Sequence, residues 1–334
     1  MAKNSNVDDN SFSSAKKHLL RRVVMPDMII KVSNLKKSYK GMPVLKGVNF
    51  SVKRGGIFAL LGSNGAGKTT TVKILSTLLS LDSGAIEIDG INIKNAKKIR
   101  EKISLTGQYA AVDEILTGRE NLNMICALRN VKEKKKLVED LLARFELTEA
   151  ADRNVSTYSG GMRRKLDIAM SLIGSPSVIF LDEPTTGLDP QSRLALWDTI
   201  QALSDSGITI FLTTQYLEEA ERLADYIAIL NEGTIAAEGT VDELKKRMPR
   251  GVVEFSFKEL SQMERALELV KDFESRIDKE SLTITISVES GINQITDVLA
   301  RLKNGNAQVF SFEQKLPTLE DVFLGLINEN SEVA

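Results

Sequence analysis

A run of residues near the start of the chain has the types and spacing of a phosphate-binding loop. The run is Gly62, Ser63, Asn64, Gly65, Ala66, Gly67, Lys68, Thr69 and Thr70. It matches the pattern G-x-x-x-x-G-K-[ST], in which glycines let successive backbone N–H groups turn toward an anion. Lys68 would neutralise the β- and γ-phosphates of a nucleotide, and the Thr69 hydroxyl would ligate Mg²⁺. The pattern therefore predicts a site for ATP or a related triphosphate with Mg²⁺.

A second group of chemically capable residues is the acidic pair Asp182 and Glu183. The pair ends an apolar run that begins at Ser177, and this run is typical of a buried strand. In α/β proteins, ligands gather at the carboxyl ends of such strands. Asp182 would hold Mg²⁺ through water, and Glu183 would orient or deprotonate the water that attacks the γ-phosphate.

A third candidate is the sequence Tyr158-Ser159-Gly160-Gly161-Met162, which opens a predicted helix that runs to about Leu172. Ser159 is well placed as the N-cap, and two glycines at a helix N-terminus make an anion-binding surface. These donors have no evident role unless a phosphate is delivered to them by a second copy of the chain.

The surrounding elements are those that would position these groups. An apolar run, Ile57–Leu61, precedes the loop, and a helical pattern with Val72, Leu75 and Leu79 on one face begins near Gly67. The sequence therefore predicts a strand, a loop and a helix in this region. The positive end of the helix dipole would add to the attraction for phosphate.

The residues before and after this unit predict an antiparallel sheet beside it. The β-like runs are Ile29–Val32, Leu35–Tyr39, Val44–Val52 and Ala85–Ile93, the last broken by a turn at Asp89-Gly90. Tyr39 lies on this sheet in a chain that is only 5% aromatic. It is either a stacking platform for the nucleotide base or an ordinary strand tyrosine, and its chemistry alone does not separate the two interpretations.

Beyond the predicted antiparallel sheet, the sequence predicts first a helical insertion and then, after residue 250, an alternation of strands and helices. A strand at Ile103–Thr106 ends in Gly107-Gln108, and helices at 118–127 and 131–145 form an insertion in the nucleotide-binding core. After residue 250 the order is βαββαβ, with a strand at Gln308–Phe312 and an appended helix at Leu319–Leu326. We predict an α/β nucleotide-binding domain at 28–250 and a small α+β, ferredoxin-like domain at 251–334.

Residues 1–27 are polar and then basic, which predicts a flexible tail. The alternative is a short amphipathic piece, Leu19–Val24, that touches a membrane surface or a partner.

Composition narrows the class of protein. At 334 residues, 42% hydrophobic and 27% charged, the chain is typical of a folded globular protein, and its net charge of −1 argues against a nucleic-acid partner. Apolar runs such as Val178–Leu181 are too short to span a bilayer and no signal core is present, so we expect the chain itself to stay in the cytosol. The single cysteine, Cys126, is expected to be a buried or half-buried free thiol.

Taken together and in order, these motifs resemble those of an ABC-transporter ATPase. The A-loop, Walker A, Q-loop, signature, Walker B, D-loop and switch positions correspond to Tyr39, residues 62–69, Gln108, residues 158–162, Asp182-Glu183, Asp189 and Gln215. The match covers about residues 28–245, and several short motifs agree in both order and spacing.

This resemblance implies a dimer of ATPase subunits, of one or two kinds, arranged head to tail. The signature of one subunit would close over the ATP held by the other and drive a separate, multi-span membrane permease from the cytoplasmic side of the cell membrane. Gln108 would sense Mg²⁺ and the γ-phosphate, and Asp189 would cross to the partner. The helical insertion with residues 109–122 would meet the membrane subunit.

Two positions depart from the family pattern. The signature reads Tyr-Ser-Gly-Gly-Met rather than Leu-Ser-Gly-Gly-Gln, and the switch position, usually histidine, is Gln215. The only histidine of the chain is His18. Gln215 can hydrogen-bond a γ-phosphate but cannot carry a proton. We therefore predict that Glu183 carries the chemistry and that Gln215 only positions.

The segment Thr213–Leu217, together with the residues 316–323 near the end of the chain, resembles the daunorubicin-resistance type of ABC ATPase. That subgroup implies export of drugs, antibiotics or other amphiphilic compounds. An ABC ATPase for lipid or polysaccharide export, or a regulatory ATPase that moves nothing, is the alternative.

Other classes of ATP- or GTP-using protein fit less well. The string nearest to the base-reading motif of a GTPase is Arg164-Lys165-Leu166-Asp167, which lacks the asparagine and lies inside the signature helix. A ribosome-acting ABC protein would carry two cassettes, and a DNA-repair ATPase would carry long coiled-coil arms between Lys68 and Asp182. The chain has one cassette and no such arms.

Overall fold

A computed structural model of the protein describes residues 27–246, 251–288, 292–315 and 318–331. The predicted tail therefore lies outside the described residues except for Asp27, as do His18 and the predicted domain boundary at residue 250. Part of the motif at residues 316–323, namely 316 and 317, also falls outside them.

The strands and helices of the described residues are numbered separately in chain order. The strands are β1 Met28–Tyr39, β2 Met42–Lys53, β3 Gly56–Leu61, β4 Ser83–Ile88, β5 Ile91–Asn92, β6 Ile103–Thr106, β7 Val178–Asp182, β8 Thr209–Thr214, β9 Tyr226–Asn231, β10 Thr234–Gly239, β11 Val252–Ser256, β12 Ser275–Asp278, β13 Thr283–Ser287 and β14 Ser311–Lys315. The α-helices are α1 Lys68–Leu75, α2 Ala96–Lys102, α3 Gly118–Leu128, α4 Lys134–Arg144, α5 Gly160–Ser171, α6 Pro190–Asp205, α7 Leu217–Leu223, α8 Val241–Lys245, α9 Leu260–Leu269, α10 Ile292–Asn304 and α11 Leu319–Ser331. Within the described part of the chain, none of these helices combines the length and apolar character that crossing a membrane requires.

The central sheet determines where the predicted functional groups meet. Its strand order is β10-β9-β3-β8-β7-β6, and all neighbours pair in parallel except β10 with β9. Parallel strands place their carboxyl ends at one edge of the sheet. The phosphate loop, Gln108, the pair Asp182-Glu183 and Gln215 lie at or just after the carboxyl ends of β3, β6, β7 and β8, in that order, so they all lie along that edge.

Apolar residues cover both faces of the central sheet, as expected for parallel strands. One face packs on the antiparallel sheet β2-β1-β4-β5 through a stack of aromatic rings, in which Phe58 lies 5.3 Å from Phe50 and 5.2 Å from Phe211 between centroids. The other face packs on the helices through residues such as Leu212 and Trp197. The predicted antiparallel sheet is confirmed, but β1 is one strand rather than two, because a bulge at Asn34 (φ +48°) joins the predicted runs.

The helical insertion follows the sequence prediction closely. α3 begins with the predicted capping box, in which the Thr117 side chain accepts from Glu120 N–H and the Glu120 carboxylate accepts from Thr117 N–H. α4 begins three residues later than predicted, and Cys126 on α3 is buried and free, as expected. Helix α2 was not predicted from the sequence, because its residues are mostly charged and only Ile99 is buried.

The small sheet near the end of the chain has the order β12-β13-β11-β14 and is antiparallel throughout. Together with α9 and α10 it gives the predicted element order βαββαβ. The last strand was predicted at Gln308–Phe312 but lies at Ser311–Lys315. Its register pairs Phe312 with Phe255, whose rings stack with 6.1 Å between centroids, so residues 308–310 precede the strand.

The final helix, α11, packs away from the small sheet. Leu319 and Val322 are buried in a cluster with Leu61 of β3, Ala220 of α7 and Leu244 of α8. The end of the chain therefore contacts the nucleotide-binding part, beside the helix that follows Gln215.

Candidate functional site

The phosphate loop connects β3 to α1 in a conformation that requires glycine. Gly67 has φ +112°, a region that L-residues rarely adopt. A Cβ atom added at Gly62 would lie 2.4 Å from the carbonyl oxygen of Leu230, so this position has no room for a side chain. Helix α1 begins immediately after Gly67, where Thr71 N–H donates to the Gly67 carbonyl at 2.9 Å. The loop glycines and the N-terminus of α1 border the same cavity, an arrangement that suits a phosphate.

Lys68 and Glu183 meet at this loop although they are far apart in sequence. The Lys68 ammonium donates to the carbonyl oxygens of Gly62 at 2.8 Å and Ser63 at 3.0 Å, and it lies 3.1 Å from Glu183 Oε1. Lys68 is only 4% exposed and Glu183 only 9%. The predicted phosphate-binding lysine and the predicted general base therefore form a nearly buried ion pair.

Asp182 lies beside the loop threonine, as the metal prediction requires. Thr213 Oγ1 donates to Asp182 Oδ1 at 2.5 Å, and Thr69 Oγ1 donates to the same oxygen at 3.3 Å. A hydroxyl and a carboxylate are oxygen ligands of the kind Mg²⁺ prefers when phosphates complete its coordination. The donor set at Thr69 and Asp182 thus fits a magnesium ion.

Glu183 is held by its backbone in an uncommon conformation. Its φ is +49°, and its N–H donates to both the carbonyl and the hydroxyl oxygen of Thr213, each at 3.1 Å. Non-glycine residues with positive φ are uncommon and persist where the surroundings determine them. The carboxylate is therefore placed by contacts from β8 as well as by its own strand.

A cavity of about 300 Å³ is lined by residues of the phosphate loop together with Glu183. Its lining is Val44, Asn64, Gly65, Gly67, Lys68, Thr69, Thr70 and Glu183. A larger cavity of about 790 Å³ lies at the amino end of β3, lined by residues such as Phe50 and Asp225, and none of the predicted site residues lines it. Convergence of polar groups, rather than size, identifies the candidate site.

The other predicted site residues do not line this cavity. They are Tyr39, Gly62, Ser63, Ala66, Gln108, Ser159, Gly160, Gly161, Asp182, Asp189 and Gln215. Tyr39 ends β1, is 42% exposed and has Lys37 Nζ 5.9 Å from its ring centroid, so both interpretations of this tyrosine remain open. Gln215 follows Thr214, whose carbonyl accepts from Gly62 N–H at 3.2 Å, and so lies next to the start of the loop.

The signature residues form the N-terminus of α5, as predicted. Ser159 is the N-cap, and its hydroxyl accepts from Met162 N–H at 3.2 Å. Gly161 also has a packing reason that the sequence did not indicate. A Cβ atom at Gly161 would lie 2.9 Å from Ser192 Oγ, so the starts of α5 and α6 pack closely within one chain.

Asp189 is the N-cap of α6 and is engaged within its own chain. Its carboxylate accepts from Ser192 Oγ at 2.6 Å and from Ser192 N–H at 2.9 Å. These two hydrogen bonds hold the pKa of Asp189 below its ordinary value, with the hydroxyl contributing most. Asp189 is exposed beside the signature, on the same side of the molecule.

Sequence reasoning missed three buried charged residues behind the site. Glu219 on α7 accepts a hydrogen bond from the indole of Trp197 on α6 at 2.9 Å, and burial raises the pKa of its carboxyl. Arg164 and Asp167 on α5 lie 3.4 Å apart and are both buried. The available signal is an arginine and an aspartate three positions apart on an otherwise apolar helix face, within the string that also resembles part of a GTPase motif.

The pH dependence of the unfolding free energy tests the burial of the Asp167 carboxyl beside Arg164. Burial raises the pKa of Asp167 from 3.8 to about 6, although Arg164 and a hydrogen bond from Ala111 N–H oppose the shift. Because the folded state favours the protonated carboxyl, ionisation costs stability as pH rises from about 4 to 6, and the cost persists above that range. Relative to Asp167→Asn, the unmodified protein should lose about 1 kcal/mol of unfolding free energy between pH 5 and 7.

Chemical denaturation of both proteins at the two pH values measures this difference. The remaining ionisable groups are common to both proteins, so the comparison isolates the contribution of residue 167. An identical pH dependence in the two proteins would show that Asp167 titrates near its ordinary value.

Comparison with known protein families agrees with the geometry of the site. Residues 45–186 match the family described as ABC transporter, and residues 239–327 match the C-terminal domain of DrrA1-3-like ATP-binding proteins. Among solved structures, an ATP-binding subunit of an ABC transporter is 31% identical, with a TM-score of 0.59, over 66% of this chain and 92% of that one. A dimeric, post-hydrolysis ATP-binding cassette bound to ADP and Pi is 26% identical, with a TM-score of 0.57, over 63% of this chain and 98% of that one.

Two curated relatives match along nearly the whole chain, and a third matches about two thirds of it. The daunorubicin resistance ATP-binding protein DrrA2 of Streptomyces coeruleorubidus is 40% identical over 92% of this chain and 98% of its own length. The linearmycin resistance ATP-binding protein LnrL of Bacillus subtilis is 34% identical over 89% and 98%. The Nod factor export ATP-binding protein I of Ralstonia nicotianae is 41% identical over 65% and 68%. The chain therefore belongs to the ABC-transporter ATPases, as an ATP-binding protein of the daunorubicin/doxorubicin-resistance type.

Proposed function

We propose that two ATPase subunits, each with this architecture, bind two ATP molecules between them and hydrolyse them to drive export through a separate membrane permease. The single observation that carries the proposal is the cavity in which Lys68, Thr69 and Glu183 converge at the end of the parallel strands. Ser159, Gly160 and Gly161 of one subunit would contact the phosphate held by the loop of the other. The resulting dimer contains either two copies of this chain or one copy and a related chain.

Within each site the chain's residues would have distinct tasks. The loop N–H groups and Lys68 bind the phosphates, and Thr69, Asp182 and Gln108 would hold Mg²⁺, which supplies charge neutralisation at the β- and γ-oxygens. Glu183 accepts a proton from the attacking water or orients it. Gln215 positions the γ-phosphate by hydrogen bonding, and Asp189 reaches the partner subunit. Tyr39 is proposed to stack on the base.

Exposed surfaces and domain boundaries suggest which parts of the chain contact the permease and which bind ATP. The helical insertion presents exposed apolar side chains at Tyr109, Ile115 and Leu128, which fit a contact with a multi-span permease. We place the ATPase at the cytoplasmic side of the cell membrane and assign residues 28–250 to ATP binding. Residues 251–334, with a sheet of ferredoxin-like order, would stabilise the dimer, regulate it or dock the permease.

The cargo is proposed to be a drug, an antibiotic or a similar amphiphilic compound. Two resistance ATPases, DrrA2 and LnrL, match this chain through its C-terminal residues. Export of a lipid or polysaccharide is the second candidate. A relative named for export of a different compound, the Nod factor, is 41% identical, although that match covers only 65% of the chain. We prefer drug export because the longer matches include the C-terminal domain.

Drug export can be tested by expressing this protein with a candidate multi-span permease in a drug-sensitive bacterium. We expect the two chains to co-purify and to raise the inhibitory concentration of amphiphilic antibiotics. The effect should require both chains and should disappear with Lys68→Ala. Resistance that survives Lys68→Ala would contradict the proposal. Unchanged resistance with altered export of a lipid or saccharide would favour the second candidate.

A further inference from the structure

Arg164 is a buried arginine that none of the proposed steps uses. It lies on α5, five residues after Ser159, and is only 3% exposed. Burial lowers the pKa of its guanidinium, yet an arginine keeps its charge in proteins. A buried charge is costly unless it is paired and hydrogen-bonded. The hydrogen bonds that satisfy the buried guanidinium of Arg164 therefore indicate what this residue does.

The guanidinium donates to backbone carbonyls on two separate segments. Its Nε donates to Pro184 O at 2.9 Å, and its Nη1 donates to Gly107 O at 2.6 Å. A longer contact of 3.5 Å joins Nη2 to Asp182 O. Gly107 directly precedes Gln108, and Asp182 and Pro184 are the two neighbours of Glu183. One side chain on the signature helix thus contacts the backbone beside both Gln108 and Glu183.

The geometry of an arginine suits this task. Its five N–H donors lie in one plane at fixed angles, so three carbonyls bound to it have a fixed relative position. Glu183 has φ +49°, a conformation that needs support from its surroundings. Thr213 contacts its N–H from β8, and Arg164 contacts the carbonyls of the two residues that flank it.

The position of Arg164 on α5 indicates how a movement at Ser159 would reach the segments of Gln108 and Glu183. Five residues of helix separate Ser159 from Arg164 by about 7.5 Å along the axis. A helix moves as a rigid body over that length, so a displacement of its N-terminus by a partner's phosphate also moves the guanidinium. The carbonyls beside Gln108 and Glu183 would move with it.

We propose that Arg164 is a positioning residue that couples the signature helix to Glu183 and to the Gln108 segment. The inference rests on the proposed function, because it assumes that ATP contacts the signature. Arg164 does not touch the nucleotide itself. Its loss should therefore slow hydrolysis without weakening ATP binding.

The test compares Arg164→Lys with Arg163→Lys in the full-length protein. A lysine keeps the charge but cannot bind three carbonyls in one plane. Arg163 is the matched control on the same helix, since its guanidinium contacts Val155 O, Ser156 O and Glu114 instead. We expect Arg164→Lys to lower kcat about 10- to 100-fold with KM and ATP affinity within about twofold. Arg163→Lys should keep kcat within about twofold of the unmodified rate.

A second readout follows the Gln108 segment directly. Tyr109 is 86% exposed and Cys126 is buried, so a fluorophore on Tyr109→Cys labels one site. ATP should change the fluorescence in the parent protein, and Arg164→Lys should abolish that change while ATP still binds. Equal fluorescence changes in both proteins, or an unchanged kcat, would overturn the inference.

A purely structural role would give a different pattern. If kcat, ATP affinity and melting temperature all fell together in Arg164→Lys and also in Arg164→Gln, which removes the buried charge, the inference would be overturned. Absence of hydrolysis in the unmodified protein with its permease would instead contradict the proposed function. The fluorescence comparison would then still decide the role of Arg164.

Discussion

A Glu183→Gln variant is expected to hydrolyse ATP about 100 to 1,000 times more slowly than the unmodified protein, because removing a positioned general base costs rates of that order. Glutamine keeps the shape of the side chain but cannot accept the proton. ATP affinity should not fall, since Glu183 holds Lys68 at 3.1 Å and its carboxylate would repel a γ-phosphate. Steady-state phosphate release and equilibrium ATP binding measure the two effects.

Gln215→Ala is the matched control for this prediction. Gln215 lies half-buried at the start of α7 and can only donate or accept hydrogen bonds, so its loss should slow hydrolysis by a smaller factor than Glu183→Gln. The reverse order, with normal hydrolysis in Glu183→Gln and none in Gln215→Ala, would show that the general base is misassigned.

A Lys68→Ala variant is expected to bind ATP about 10 to 100 times more weakly, because a hydrogen bond to a charged group contributes about 1.5–3 kcal/mol. The nearly buried ammonium is the cation at the centre of the loop, held by Gly62 O and Ser63 O. Removing it also leaves Glu183 without its ion-pair partner, which adds negative charge to the site. Titration of a fluorescent ATP analogue measures the affinity.

The exposed Lys73 on the same helix provides the control. Lys73→Ala removes an equal charge from α1 but lies outside the cavity lining, so ATP affinity should remain within about twofold. Equal affinity in Lys68→Ala and the unmodified protein would contradict the assignment of the loop.

The sequence was sufficient for the parts of the fold that have strong local signals. Glycine-rich turns, capping boxes and apolar runs identified β3, α1 and α3 with their neighbours, and the acidic pair at the end of an apolar run predicted that Glu183 would face the phosphate bound by Lys68. The cavity lining and the contact between Thr69 and Asp182 agree with the expected nucleotide and metal positions. The roles of these residues in ATP hydrolysis remain predictions.

Contacts between distant parts of the chain could not be predicted in the same way. Arg164 binds Gly107 O, 57 residues away, and no local pattern indicates such a pair. The register of β14 depends on Phe312 facing Phe255, and the docking of α11 depends on a surface formed by β3, α7 and α8. Tertiary packing, rather than local propensity, decides these features.

The central claim, that each ATP lies between the loop of one subunit and the signature of another, is tested most directly by mixing two inactive variants with the permease present. Lys68→Ala disables the loop, and Ser159→Arg blocks the tip of α5. In a head-to-tail dimer, a mixed pair contains one site with intact Lys68 and intact Ser159. The account predicts that mixing restores hydrolysis, up to about a quarter of the unmodified rate for random pairing. A mixture no more active than the sum of the two separate variants would contradict it.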